Sequence, residues 1–192
     1  MTTSNDVAAY ICERIGPQGS WTMHKLVFYA HAWSLVWDGT PLVADGFQAW
    51  RDGPVSPVLR QRGPGAGDAQ KLSPESRATI DAVIAFYGSR STQELIDLTH
   101  KEAPWRDARG DLPPTAHSSA PIPDDGIRSY YSKYGIARKT FSPEFQDSID
   151  LLLLTPDEVL RDGDTTVDGE SFMTWLETGE GESWENAEGS GG

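Results

Sequence analysis

The sequence predicts a mainly α fold of the α+β type. A compact helical domain carries a small β-hairpin near residues 42–56, and a helical, partly disordered acidic C-terminal extension follows. Three observations lead there. Apolar residues recur at helical spacing in five segments before residue 135, whereas strand-like alternation occurs once. Gly-Pro and Ser-Pro pairs crowd that one alternating stretch. Residues 1–140 hold 15 acidic and 15 basic side chains, while residues 141–192 hold 14 acidic ones against Arg161 alone, so the net charge of −13 lies in the last quarter. The expected division is a domain over 1–138, a helical extension over 139–178 and a disordered tail over 179–192.

Val7, Tyr10, Ile11 and Ile15 mark a first helix that Gly16-Pro17 stops. Ser20 is placed to cap the next, over residues 21–37, where Leu26, Tyr29, Ala30, Trp33 and Trp37 form a stripe. Val27, Phe28 and Leu35 fall off that stripe, so the helix is apolar on several sides and belongs at the centre of the domain. Asp38-Gly39-Thr40-Pro41 is turn chemistry. Phe47, Ala49 and Arg51 then alternate with Gln48, Trp50 and Asp52 as in a short strand. Pro54 and Pro57 restrict this region to an edge hairpin, with a short helix over 55–60 and a flexible Gly-rich loop over 63–67. Ser73-Pro74 starts a helix with Ile80, Val83, Ile84 and Tyr87 inside and Gly88 at its end. Ser91 and Glu94 form a capping box for a helix with Leu95, Ile96 and Leu98, which Pro104 closes. A loop over 105–123 leads to a helix over 124–134 with Ile127, Tyr130, Tyr131 and Tyr134. Ser142-Pro143 and the Thr155-Pro156-Asp157-Glu158 capping box start two helices of the extension, and Phe172, Met173, Trp175 and Leu176 form an apolar cluster beyond them.

The residues offer no evident catalytic set. His24 and His31 are seven apart on one helix, whereas helical zinc pairs are spaced i, i+4, and Cys12 is the one cysteine. Cys12 lies in a helical segment, which favours buried packing, and it suits a reducing compartment. There is no nucleophile elbow and no HExxH, and Gly63, Gly65 and Gly67 lack the Lys-Ser/Thr of a phosphate loop. Asp124 and Asp125 read as negative charge at a helix start. Arg51, Arg60 and Arg62, or Lys101, Arg106 and Arg109, are the basic clusters available to nucleic acid, but the charge balance of the first 140 residues argues against that partner. Residues 1–6 carry no basic leader and no apolar run approaches the ~20 residues of a membrane span, so a soluble cytoplasmic protein is expected, without cofactor, metal or membrane. The acidic quarter either solubilises the chain or attracts a basic partner.

Three blocks together resemble a known family. Residues 24–33, HKLVFYAHAW, are similar to the Lys-Leu-Leu-Tyr-Phe helix of SocA-like Panacea domains. Residues 47–55, FQAWRDGPV, resemble their Ala-Trp and Gly-Pro-Val segment. Residues 98–105, LTHKEAPW, resemble their Thr-His and Pro-Trp segment, and Ile127 to Tyr131 fits a closing short helix. Order and spacing agree over about residues 5–135, and the part from Thr140 on is not covered.

The resemblance implies a mostly helical domain with a small β element and no catalytic residue. It implies an antitoxin, phage- or prophage-associated, that binds a cognate toxin encoded by an adjacent gene. The alternatives are an adaptor that delivers the toxin to a ClpXP-type protease and a phage regulator that binds DNA. The block residues Lys25, Leu26, Tyr29, Trp33, Ala49, Trp50, Thr99, His100 and Pro104 are expected to maintain the fold. The partner surface is expected at Arg51, Asp52, Gly53, Pro54 and Val55 with Lys101, Trp105 and Arg106, since Trp and Arg anchors are favoured at interfaces.

Overall fold

The helix α2 (Ser20–Trp37) is buried on every side from Thr22 to Leu35, and the other elements are arranged around it. In the computed structural model, residues 1–113, 115–136 and 138 are described. By its internal contacts the chain divides into Met1–Leu153 and Leu154–Gly192, and every described residue lies in the first unit. The expected extension helices, the apolar cluster at 172–176 and the acidic tail lie outside the described residues.

Helix α1 (Ser4–Ile15) and helix α4 (Pro74–Tyr87) pack on α2, as do α5 (Thr92–Lys101) and α7 (Asp124–Ser132). Leu26, Tyr29 and Trp33 on the stripe and Val27, Phe28 and Leu35 off it are all buried, which explains why a single stripe did not account for the apolar residues of α2. Trp33 stacks on Trp37 at 4.8 Å, and the Trp37 indole donates to the Ile136 carbonyl at 2.8 Å. His31 accepts the Val43 amide at Nδ1 (3.4 Å), so its Nε2 hydrogen faces the Asp124 carboxylate at 3.0 Å. His24, the other histidine of α2, is buried as well, and the described residues contain no group of three or more His, Cys, Asp or Glu able to hold a metal ion. Cys12 is half-buried and packed against the core.

The β element is larger than an edge hairpin. Strands β1 (Phe47–Trp50), β2 (Gly53–Val55) and β3 (Pro121–Ile122) form an antiparallel sheet in the order β2-β1-β3. Proline did limit sheet position, but only for the strands that contain it: Pro54 and Pro121 occupy the two outer strands, and β1, free of proline, is central. Phe47 and Ala49 are buried while Gln48 and Trp50 are half-buried, as the alternation predicted.

Four further expectations change. Ser20 is the first residue of α2, and Gly19 occupies the cap position. The short helix α3 is Pro57–Arg62 and starts two residues late, because Val55 pairs with Gln48 in the sheet and Ser56 caps the helix through Leu59 N–H. The Gly-rich stretch is a fixed strap. Two 3-10 turns, Pro64–Ala66 and Ala69–Lys71, lie on α1, and Gly67 sits so close to the Asn5 backbone that a Cβ would overlap it. Asp6 holds that strap by accepting from Asp68 N–H at 2.8 Å and Lys71 Nζ at 3.4 Å. Finally, residues 105–123 are not simply a loop. Pro104 lies at the start of a new helix, α6 (Ala103–Arg109), where its missing N–H costs nothing, and β3 follows later in the same stretch.

Candidate functional site

The turn between β1 and β2 is where the separated blocks meet. Gly53 has φ +97°, a conformation L side chains rarely adopt. A Cβ there would also lie 2.7 Å from Lys25 Nζ and 2.7 Å from Thr99 Oγ1. One glycine thus allows α2 and α5 to close on the hairpin. The completely buried Lys25 donates to the Pro54 carbonyl at 3.4 Å and lies 5.5 Å from the Trp21 ring centre. Burial pushes its amine down to about 7, with the Asp52 carboxylate pulling the other way. Thr99, also buried, turns its hydroxyl to the Ile96 carbonyl.

The α5–α6 junction braces the other side of the hairpin. The Trp105 indole donates to the Trp50 carbonyl at 2.8 Å, and the His100 ring stacks on Trp105 at 4.1 Å. Burial and the nearby Lys25 hold the His100 imidazole below its ordinary range, against a hydrogen bond with the Arg51 backbone. Arg109, read in the sequence as part of a basic patch, is buried. Its guanidinium donates to the carbonyls of Ala49 (3.2 Å), Pro113 (2.8 Å) and Ala116 (2.9 Å) and lies over Trp105. Nothing in the sequence distinguished it from its exposed neighbour Arg106.

Between α5 and α6 stands Glu102, a buried carboxyl. It accepts from Tyr29 Oη at 3.2 Å and Tyr131 Oη at 2.7 Å, and Tyr29 in turn stacks flat on Tyr87 at 4.0 Å. Burial pushes Glu102 up to about 8, and the two tyrosine hydrogen bonds pull it partly back. Glu102 belongs to the third block, but sequence reasoning did not single it out, because a Glu between helices usually faces water.

The expected site residues divide by exposure. Lys25, Leu26, Tyr29, Trp33, Ala49 and Thr99 are buried, as is Pro104, with Trp50 and His100 half-buried. Gly53, Pro54, Val55 and Trp105, expected on the partner surface, are buried too. Arg51, Lys101 and Arg106 are exposed and Asp52 is half-buried. Arg51 Nε and Nη2 donate to the two oxygens of Asp52, each at 3.0 Å. Two cavities adjoin these residues. One, about 480 Å³, is bounded by Trp21, Trp50, Arg51, Asp52, Arg60 and residues 117–119. The other, about 350 Å³, lies against His100, Trp105, Arg106 and Leu112.

No helix among the described residues is long and apolar enough to cross a membrane. No curated protein and no solved structure matches the chain. A family model described as "Antitoxin SocA-like, Panacea domain" matches residues 23–106. That match runs from α2 through the hairpin to α6, and so takes in Lys25, Gly53, Thr99 and Trp105 together. Over residues 23–106 the chain is similar to the SocA-like Panacea domain.

Proposed function

We propose that this protein is an antitoxin that neutralises a cognate toxin by direct, stoichiometric binding, through the face that carries the β1–β2 turn. The observation that carries the reading is the match of residues 23–106 to a domain described as antitoxin SocA-like. The convergence of its three blocks on one turn supports the location. Buried Lys25, Gly53, Thr99 and Trp105 hold that turn rigidly, and rigid presentation lowers the entropy lost on docking. Arg51 at its tip and Lys101 and Arg106 on the neighbouring helices are exposed, and Asp52 is half-buried, beside half-buried indole.

Co-expression with the product of the adjacent gene tests this. The adjacent product alone is expected to arrest growth, and this chain to restore growth and co-purify with it at a fixed ratio. A harmless neighbour, or a toxic one that this chain neither neutralises nor binds, refutes the proposal. The toxin's half-life in the same cells separates blocking from delivery to a protease, since blocking leaves it unchanged.

A further inference from the structure

The larger cavity beside the turn has a composition suited to one kind of occupant. Arg51 and Arg60 flank it, both exposed, with the half-buried indoles of Trp21 and Trp50 and the imidazole and hydroxyls of His117, Ser118 and Ser119. Asp52 is its one carboxylate, and both oxygens are already occupied by Arg51. Arg60, in contrast, has no side-chain hydrogen bond or ion pair among the described residues. The lining thus holds two guanidiniums against one carboxylate. An anion placed here meets two guanidiniums at a partly desolvated surface, where charge-assisted hydrogen bonds are strongest.

We propose that this groove seats an acidic segment of the partner protein, with a carboxylate on Arg60 and Arg51 and an adjoining apolar side chain on the indoles of Trp21 and Trp50. The inference rests on the antitoxin reading for the existence of that partner. It concerns one segment, not the partner's net charge. A nucleic acid fits less well. Two guanidiniums do not make the extended basic stripe that a phosphate backbone requires. A volume of about 480 Å³ is enough for two or three side chains, not for a duplex.

The test uses the full chain and the purified product of the adjacent gene. Arg60→Glu reverses the groove's free charge, and Lys133→Glu makes the same change on the exposed end of α7. Circular dichroism and thermal melting check that both variants fold as the wild type does. Arg60→Glu is expected to weaken binding at least tenfold, chiefly through a slower association rate, and to restore growth less well. Lys133→Glu is expected to stay within twofold. Wild-type affinity is expected to fall as salt rises, and the Arg60→Glu complex to lose that dependence. A partner acid changed to Arg restores binding to Arg60→Glu. If the wild type neutralises the toxin and Arg60→Glu binds it equally well, the groove assignment is overturned and the antitoxin reading stands. If the wild type binds no adjacent product, both fall. Salt-sensitive binding of duplex DNA that Arg60→Glu abolishes, with toxin binding untouched, also overturns it.

Discussion

Replacing Glu102 with Gln converts a buried titrating group into a permanently neutral one of nearly the same shape. Glu102 is pushed up from 4.5 to about 8, so between those values the folded chain holds a proton that the unfolded chain has lost. Stability from this group is fully present below pH 4.5 and is lost as pH rises through about 8. At ~1.4 kcal/mol per pH unit, the whole window corresponds to ~5 kcal/mol. That is comparable with the total stability of a small domain, on the order of 5–15 kcal/mol. Two other buried groups act in the opposite sense. His24, lowered from 6.5 to about 4, and Lys25, lowered from 10.5 to about 7, are charged in the unfolded chain while neutral in the folded one. Their contributions rise with pH, over 4–6.5 and 7–10.5 respectively, and they mask Glu102 in the wild-type profile.

The difference between variant and wild type isolates the one group. Urea unfolding of both at pH 5, 6, 7, 8 and 9 gives that difference directly. At pH 5 the two are expected within ~1 kcal/mol of each other, since an amide keeps partners for the hydroxyls of Tyr29 and Tyr131. By pH 9 Glu102→Gln is expected to be the more stable by several kcal/mol, which is ~10 °C in melting temperature for a chain of this size. A difference that does not change with pH shows that Glu102 is ionised in the fold at neutral pH, and the account of the carboxyl among its tyrosines fails.

Two other perturbations test the frame of the turn. Gly53→Ala sets a Cβ at φ +97° against Lys25 and Thr99, and a loss of about 2–4 kcal/mol in urea unfolding is expected; a change under ~0.5 kcal/mol contradicts the close packing. Arg109→Met leaves the carbonyls of Ala49, Pro113 and Ala116 without their guanidinium, at a cost of about 3 kcal/mol or more, with faster amide exchange at β1 and β3 as the local signature; unchanged exchange there argues that the three bonds do not hold the sheet.

The helices were legible because their signals are local. Ser73 and Ser91 cap α4 and α5 through the amides of Ser76 and Glu94, which is the chemistry their sequence positions advertise. The breadth of apolar residues in α2 likewise announced a central helix. What escaped depends on distant partners. Pro121-Ile122 carries no strand signal of two residues' length, and it becomes β3 because Phe47 and Gln48 pair with it. Gly63 to Gly67 has the composition of a loose loop, yet Asp6 and Asn5, some sixty positions earlier, tie the strap down through Asp68 N–H and the Gly63 carbonyl. Arg109 is buried because three carbonyls converge on it, and no window around residue 109 contains that fact. Pro104 was read as a stop when it is equally a start, a choice decided by the docking of Trp105 on the Trp50 carbonyl.

The same distinction bears on what the three blocks report. A side chain can discriminate between partners only by the water and contacts it exchanges on binding. Lys25, Tyr29, Trp33, Gly53, Pro54, Val55 and Thr99 have already lost their water to the fold, so changing them moves stability and the shape of the turn before it moves selectivity. Arg51, Asp52, Arg60, Lys101 and Arg106 retain theirs in whole or part, and a change in any of them costs the fold little. The residues by which the domain is recognised in sequence are thus mostly those that build the platform. On the antitoxin reading, partner choice would rest on the charged rim, where Arg60, Lys101 and Arg106 have no ion pair among the described residues to give up to an incoming carboxylate.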